Sequence, residues 1–539
     1  MITLQGKGVS SGIAKGRLSF LKRKSLSVEK RHVDDVEQEI ERFNTARQSA
    51  SDQLDALAAT MADKIGEENA LLFEIHRIML EDADYCDPIV EIIKTEKVCA
   101  EYAVNTAGSR LAQEFAGMDD EYMKARSIDV YDISKRVIEM LAGKGQGQID
   151  NGDPAILAAD DFTPSETAQL DRSKVLALVS RQGAVNSHTA IFARTMGIPA
   201  IIGFGEFLSG DLSGKEAALD GETGVLYVDP EPTVISGLDA KAEQARRERE
   251  ILEQARGKPT RAKSGKEMKL YANIGSVRDV DAALAGDAEG VGLFRSEFLY
   301  LGRDNYPDEE TQYESYRKVV EKMGNRQVII RTLDIGADKQ ADYFELPKED
   351  NPALGMRAIR ICLTRPDIFK TQLRAIYRAS AHGNAAIMFP MIASLDELLR
   401  AKNLAKMARE ELAAKGAPFK ADIPIGIMIE TPASAVISDM LAREADFFSI
   451  GTNDLTQYTL AIDRQNDSIA SFCDPHHEAI LRLIKMTCDN AHKAGVWCGI
   501  CGSLGADIAL TKTFVEMGVD ELSVEPSRIL KLRSVIAAC

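Results

Sequence analysis

The chain has 539 residues, 45% of them apolar, which is enough for more than one packed domain and excludes wholesale disorder. A net charge of −17 lacks the basic footprint that a nucleic-acid backbone demands; it suits either a basic protein partner or plain solubility. No apolar run is long enough to cross a bilayer, the start Met1–Gly6 lacks a signal-peptide pattern, and eight scattered cysteines fit a reduced cytoplasm.

Residues 1–20 mix glycine with β-formers (Leu4, Gly6, Gly8, Val9, Gly12, Ile13). No helical pattern follows the glycines, so they predict turns between short strands rather than a nucleotide loop. Over 21–144 the period is helical. Val36, Ile40, Phe43, Arg47, Ala50, Leu54 and Leu57 form one stripe. Leu71, Leu72, Ile75, Ile78 and Met79 form a second, and Val130, Ile133, Val137 and Leu141 a third. Strand-like runs return at Ala155–Ala158, Val175–Val179, Ala200–Ile202 and Gly224–Val228. The simplest organisation is an all-α insert (21–144) within one β/α domain made of 1–20 and 145–232. A charged linker helix follows over 233–257.

From 258 onward, strand-like runs alternate with helical stretches eight times: Met268–Ile274, Gly290–Phe294, Gln327–Arg331, Ala385–Phe389, Ile425–Ile429, Phe447–Ile450, Val496–Ile500 and Glu521–Val524. Eight such units predict a (β/α)8 TIM-type barrel over 258–539, with its chemistry on the loops after the strands. Arg295, Arg331, Glu430, Asn453, Asp454 and Cys501 stand just past those runs. Two carboxylates at strand ends point to a hard divalent ion with oxygen ligands, Mg²⁺ before any soft metal; salt bridges to nearby arginines are the alternative. Arg295, Arg331 and Arg464 supply planar forks for phosphate or carboxylate, so the site suits a small, multiply anionic substrate and phosphoryl transfer.

His188 follows Ser187, which can cap a helix over 188–196. A phosphate on that histidine would lie beside free N–H groups and the positive end of the helix dipole, although a plain surface histidine would read the same way. Cys498 and Cys501 have CxxC spacing but no second pair for zinc, and they lie too late in the chain for a thioredoxin-like site. Cys473, His476 and His477 resemble a metal cluster, but adjacent loop histidines rarely face one ion, so they read as structural.

Several segments match a known family. Gly183-x-x-x-Ser187-His188-Thr-Ala-Ile-x-Ala-Arg194 resembles the phosphohistidine segment shared by Enzyme I, phosphoenolpyruvate synthase and pyruvate phosphate dikinase. Arg331-Thr-Leu-Asp-Ile-Gly, Asn351-Pro-x-Leu-Gly355, Phe389-Pro-Met391, Ile429-Glu-Thr-Pro432 and Phe448-Ser-Ile-Gly-Thr-Asn-Asp-Leu-Thr-Gln-Tyr458 resemble the same superfamily's barrel motifs. There is no room for the ATP-grasp domain of the synthase and dikinase. The helical insert, with Asp119-Asp-Glu-Tyr122 and Asp129-Val-x-Asp132-Ile, resembles the carrier-binding domain of Enzyme I of the bacterial sugar phosphotransferase system.

That resemblance implies a swivelling phosphohistidine domain carrying the helical insert, followed by the barrel. It implies phosphoryl transfer from phosphoenolpyruvate to His188 with release of pyruvate, then transfer to the phosphocarrier protein HPr. By the same resemblance Glu430 and Asp454 bind Mg²⁺, and Arg295, Arg331, Asn453, Asp454 and Arg464 hold phosphoenolpyruvate. Cys501 protonates the enolate, Thr167 holds the histidine ring, and the family is a cytoplasmic homodimer joined through the barrel. On the insert, Glu67, Glu68, Glu74, Glu81, Asp82 and Asp84 surround Leu71, Leu72 and Ile75, an apolar centre with an acidic rim for a basic carrier. His76 at its edge is the candidate for holding His188 toward the carrier. Three departures from the family pattern stand out: Val185-Asn186 where arginine-threonine is usual, Ser503 where glutamate is usual, and Ala337 where a second glycine is usual. Two other classes fit less well. An inactive scaffold would have no need of His188, Glu430, Asp454 and Cys501 together, and a kinase of small molecules would have no need of the helical platform.

Overall fold

A computed structural model describes residues 1–21, 28–65, 67–118, 121–143, 153–183, 185, 187–336 and 341–539. Ala337, Asn186 and the Asp119-Asp120 pair lie outside the described residues. The chain divides into two compact units, Met1–Arg247 and Glu248–Cys539.

The first unit is built on eight strands: β1 Ile2–Gln5, β2 Lys7–Ser10, β3 Ile13–Phe20, β4 Ala155–Ala159, β5 Val175–Ser180, β6 Ala200–Ile202, β7 Glu216–Asp220 and β8 Val225–Val228. They form one mixed sheet in the order β1-β8-β7-β3-β4-β5-β6-β2, with β3 to β6 parallel and the flanking pairs antiparallel. Neighbouring strands β3 and β4 are far apart in sequence; between them run the helices α1 Val36–Ile65, α2 Glu67–Glu81, α3 Ala83–Glu96, α4 Ala100–Ala116 and α5 Glu121–Leu141. The expected stripes of α1 and α5 are buried: Phe43, Ala50 and Leu54 on one, Val130, Ile133 and Val137 on the other. The stripe of α2 differs. Its inward face is Phe73, His76 and Leu80, while Leu71 is 43% and Ile78 56% exposed. The apolar residues of α2 exceed what one face can bury, so periodicity alone picked the wrong stripe.

Insert and sheet share one core, in which Phe43, Ile89 and Ile133 meet Leu157, Leu178 and Ile202. The other sheet face packs Ile156, Val179 and Leu219 under Phe204, Leu208 and Leu212. Helices α6 Pro164–Gln169 and α7 His188–Met196 follow β4 and β5, and α8 Pro232–Gln254 ends the unit and leads on.

In the second unit eight parallel strands close a barrel: β9 Lys269–Ile274, β10 Gly290–Arg295, β11 Gln327–Arg331, β12 Asn384–Phe389, β13 Ile425–Ile429, β14 Phe447–Ile450, β15 Trp497–Ile500 and β16 Glu521–Val524. Leu270, Ile330, Ile427, Phe448 and Ile500 face the outer helices, whereas Tyr271, Ile329, Met428 and Phe447 fill the interior. Burial on both faces explains why these strands read as continuous apolar runs. The histidine pair is structural: His477 caps the helix Glu478–Lys493 through Nδ1, and His476 Nε2 bonds to Asp507.

Candidate active site

The barrel's strand ends converge on a cavity of about 380 Å³ lined by Arg295, Arg331, Glu430, Asn453, Asp454, Arg464 and Cys501, all picked out from sequence, together with Asp334. All but Asp334 and Arg464, which lie farther along their loops, arrive by the same local logic. An apolar strand runs through the barrel wall and its last residue, or the first of the next turn, emerges at the rim. Arg295 and Arg331 end β10 and β11, Glu430 and Cys501 directly follow β13 and β15, and Asn453-Asp454 open the helix Thr452–Leu460 after β14.

The charges are tightly interlocked. Arg331 donates through Nη2 to Glu297 Oε1 (2.6 Å) and pairs through Nη1 with Asp334 Oδ2 (2.9 Å). Arg357 donates to Asp334 Oδ1 (3.0 Å), to Asp454 Oδ1 (3.3 Å) and to the Tyr458 hydroxyl (3.0 Å). Burial works against both guanidinium charges, but Asp334 with Glu297 at Arg331, and Asp334 with Asp454 at Arg357, outweigh it and keep both charged. Burial raises the pKa of Glu430 above the usual carboxylate range, and the negative charges of Asp454 and Asp334 add to this. Glu430 Oε1 accepts the Met391 N–H, and Met391 takes a positive φ of 58°, a strained backbone of the kind found at binding sites. Glu297, Asp334 and Arg357 were not singled out from sequence. Asp334 lies inside the quoted Arg331-Thr-Leu-Asp motif and Arg357 two residues past Gly355, so nearness to a motif was the available signal.

Cys501 is 3% exposed, and burial pushes its thiol up to about 12. Cys498 points the other way, into the wall between strands and helices, where it meets Cys488. The CxxC spacing therefore does not make a pair, because alternate strand residues face opposite sides. Asn453 Oδ1 accepts from Ser503 N (3.0 Å) and Ser503 Oγ (2.6 Å), so the serine found where glutamate is usual orients the Asn453 amide.

His188 begins α7. Ser187 caps that helix, its Oγ accepting the Ala190 N–H (3.3 Å). Burial lowers the His188 ring below its ordinary 6.5, with Asp129 opposing and His76 reinforcing the effect. The ring is thus neutral at pH 7, as a nucleophile requires, with the free N–H groups of the helix start beside it. His76 does not lie at the edge of a docking face. It is fully buried, with Nε2 3.1 Å from Asp129 Oδ1 and Nδ1 3.7 Å from Asp132 Oδ2, because it occupies the inward stripe of α2. Thr167 is buried on α6 and donates to Pro164 O (2.8 Å). A bridge ties α6 to α5: Arg136 donates to Ser165 Oγ (2.6 Å), which donates to Asp132.

Comparison with known proteins decides the family. The models "PEP-utilising enzyme, N-terminal", "PEP-utilising enzyme, mobile domain" and "PEP-utilising enzyme, PEP-binding domain" match residues 5–126, 151–224 and 249–539. The phosphoenolpyruvate-protein phosphotransferase of Bacillus sp. (strain S) is 42% identical over 538 residues, 99% of this chain and 92% of that protein. Its counterpart in Bacillus subtilis (strain 168) is 40% identical over 541 residues, 100% of this chain and 94% of that protein. This chain belongs to the phosphoenolpyruvate-protein phosphotransferase family. A solved structure named "NMR solution structure of Enzyme I (nEIt) protein using two 4D-spectra" is 30% identical and covers 45% of this chain and 99% of its own; the TM-score is 0.37, so the family rests on the sequence relatives.

For a phosphoenolpyruvate-protein phosphotransferase the question of a metal is one of fit. Four carboxylates at the cavity are buried (Glu297, Asp334, Glu430 and Asp454) against two buried guanidinium groups, Arg331 and Arg357. Arg331 and Arg357 pair with Glu297, Asp334 and Asp454, but no described guanidinium bonds Glu430, whose raised pKa suits a divalent cation beside it. Among the described residues no group of three or more such side chains is arranged to hold a metal. Mg²⁺ commonly takes one or two carboxylates and completes its shell with substrate oxygens and water, so Glu430 and Asp454 fit it.

Proposed function

We propose that the chain takes the phosphoryl group of phosphoenolpyruvate onto His188, releases pyruvate, and passes the group to a histidine of a phosphocarrier protein of the HPr type, the first step of sugar uptake. The observation that carries this reading is the cavity. It gathers guanidinium forks, two candidate Mg²⁺ carboxylates and a protonated thiol around a space sized for a small polyanion. Arg295, Arg331 and Arg464 bind the phosphate and carboxylate of the substrate, and Asn453 orients it. Held by Glu430 and Asp454, Mg²⁺ would neutralise charge on the transferring phosphoryl group.

The neutral His188 ring attacks phosphorus; the P–O bond to the enol oxygen breaks, and the enolate of pyruvate remains. Cys501 gives that enolate a proton at carbon, which a thiol held protonated up to about pH 12 can do. Phosphohistidine is then stabilised by the N–H groups at the start of α7. Thr167 is the candidate hydroxyl for holding the phosphorylated ring, which requires it to leave Pro164 O. His76, beside Asp129, acts on the unphosphorylated ring electrostatically from its buried position. A homodimer joined through the barrel and a cytoplasmic location complete the proposal; no described helix is long and apolar enough to cross a membrane. Incubation with labelled phosphoenolpyruvate, Mg²⁺ and purified carrier tests it: label should appear on His188 and then on the carrier. Label that never reaches protein would overturn the reading.

A further inference from the structure

Arg331 is held at both ends of its fork by carboxylates from two different segments of the rim. Glu297, just past β10, takes Nη2 (2.6 Å), and Asp334, just past β11, takes Nη1 (2.9 Å). The residue before each carboxylate is bound in turn by one and the same side chain. Gln372, on the helix Pro366–Ser380, accepts the Leu333 N–H through Oε1 (2.8 Å) and donates through Nε2 to Ser296 Oγ (3.0 Å). Leu333 precedes Asp334, and Ser296 precedes Glu297. Nε2 also donates to the Tyr316 hydroxyl (3.0 Å), which donates to Gln312 Oε1 (3.2 Å); both residues lie on the helix Glu309–Met323. The amide thus uses both of its N–H groups and its carbonyl, and Gln372, Ser296, Gln312 and Tyr316 are all buried. Phe369, Leu373 and Ile376 of the same helix belong to the apolar core. An amide buried at that depth is tolerated only while its partners stay in place.

We propose that Gln372 is a positioning residue for Arg331, a crossbar between the segments after β10 and β11 that aims the guanidinium fork at phosphoenolpyruvate. The proposal rests on the reading of Arg331 as a substrate ligand. Gln372 lies outside the cavity lining and touches no substrate; it acts through the backbone that carries Glu297 and Asp334. The backbone ladder between β10 and β11 ends at the pair Arg295 and Arg331. Beyond that pair the strands part toward the rim, and there the Gln372 amide joins them through Ser296 and Leu333. The spacing of the two arginine-bearing strand ends is therefore set by a side chain from a third element. Without it, Glu297 and Asp334 are free to shift relative to each other, and the fork that they share shifts with them. A displacement of about 1 Å in a group that orients a reacting substrate costs about 10²-fold in rate.

The test is a double-mutant cycle on the full-length protein with Mg²⁺ and purified carrier, reading kcat and KM for pyruvate release, with urea unfolding of each variant alongside. Gln372→Met keeps the length of the side chain and removes its three hydrogen bonds. Its kcat/KM should fall about 10²-fold while the variant is still fully folded under assay conditions. Arg331→Lys keeps the charge, loses the fork and should fall at least as far. In the Arg331→Lys background the change at Gln372 should cost less than threefold, because a crossbar that acts through the fork then has nothing left to aim. A full 10²-fold loss in that background would mark a structural role and overturn the proposal. If Arg331→Lys stays within threefold of the parent, the reading of Arg331 fails and the crossbar with it. If Arg331→Lys is slow but Gln372→Met stays within threefold, only the crossbar is wrong. A parent that releases no pyruvate would overturn the proposed function itself. Should Gln372→Met not fold, Ser296→Ala replaces it in the same cycle, since it removes the hydroxyl that receives Nε2. A parent-like rate, or a loss that adds in full to that of Arg331→Lys, rejects the proposal.

Discussion

Around the barrel cavity four carboxylates and two guanidinium groups are buried together, whereas at His188 burial suppresses charge and leaves a neutral ring at a helix start. In the proposed reaction the first centre is preorganised for a charged substrate whose negative charge shifts onto the enol oxygen as the P–O bond breaks. In the same proposal the second stays uncharged until it receives the phosphoryl group, and only then calls on the N–H groups of α7. One chain thus separates electrostatic stabilisation from nucleophilic attack and builds each where its fold is best suited, strand ends for the one and a capped helix start for the other.

The sharpest way to break this division is His188→Ala. Self-phosphorylation should vanish in a labelled-phosphoenolpyruvate assay, while calorimetric binding of phosphoenolpyruvate with Mg²⁺ stays within about twofold, since uniform binding and nucleophilic attack reside in different centres. Lost binding would show that the centres are not separable. Cys501→Ser should be next in size. Pyruvate release should fall about 10²- to 10⁴-fold with little change in KM, because a far weaker acid replaces the thiol while the arginines still hold the substrate. Cys498→Ala should leave pyruvate release near normal under reducing conditions, since Cys498 faces Cys488 in the wall.

Arg357→Met probes the buried charge directly. It strips the guanidinium from Asp334 and Asp454, and removing one partner of a buried network costs about 3–5 kcal/mol, read as a lower urea midpoint. An unchanged midpoint would mean that the cavity's carboxylates are solvated enough to stand alone. The His188 centre has a pH signature instead. Its ring pKa is lowered from 6.5, so the neutral form predominates at and above that value and the rate of self-phosphorylation should fall as pH drops through the lower folded value. Asp129 raises the ring pKa, so Asp129→Asn should push this acid limb to still lower pH; an NMR titration of His188 gives the sign.

The barrel was legible in the sequence because parallel strands buried on both faces leave unmistakable apolar runs, and their ends marked the cavity's residues directly. The insert was legible as helices but not as faces. α2 carries apolar residues on most of its circumference, and only packing shows that Phe73, His76 and Leu80 turn inward while Leu71 and Ile78 do not. The same blindness hid Glu297, Asp334 and Arg357. A charged residue in a loop reads as solvated until tertiary structure buries it, and no local spacing announces that a partner is coming from another strand. Ser503 shows the converse case, where a departure visible in sequence gained its meaning only when its hydroxyl was found on Asn453.

The smallest expected effect concerns the exposed face of α2. Leu71 at 43% and Ile78 at 56% exposure sit among Glu74, Glu81, Asp82 and Asp84, all of them exposed. We propose this face as the carrier's landing site, with the apolar centre giving affinity and the acidic rim giving speed. Fully burying an isoleucine side chain contributes about 1.5–3 kcal/mol, so covering the exposed half of Ile78 leaves roughly 1 kcal/mol at stake. Ile78→Ser should therefore weaken carrier binding by about fivefold and leave self-phosphorylation from phosphoenolpyruvate unchanged, since Ile78 lies on the exposed face of α2, opposite the buried His76. The rim acts differently: exposed charges are screened within about 8–10 Å at ordinary ionic strength, so raising salt from 50 to 500 mM should lower the association rate and leave dissociation nearly constant. Stopped-flow mixing with the carrier separates the two. An association rate indifferent to salt would remove the acidic rim from recognition, and unaltered affinity in Ile78→Ser would move the landing site off α2 altogether.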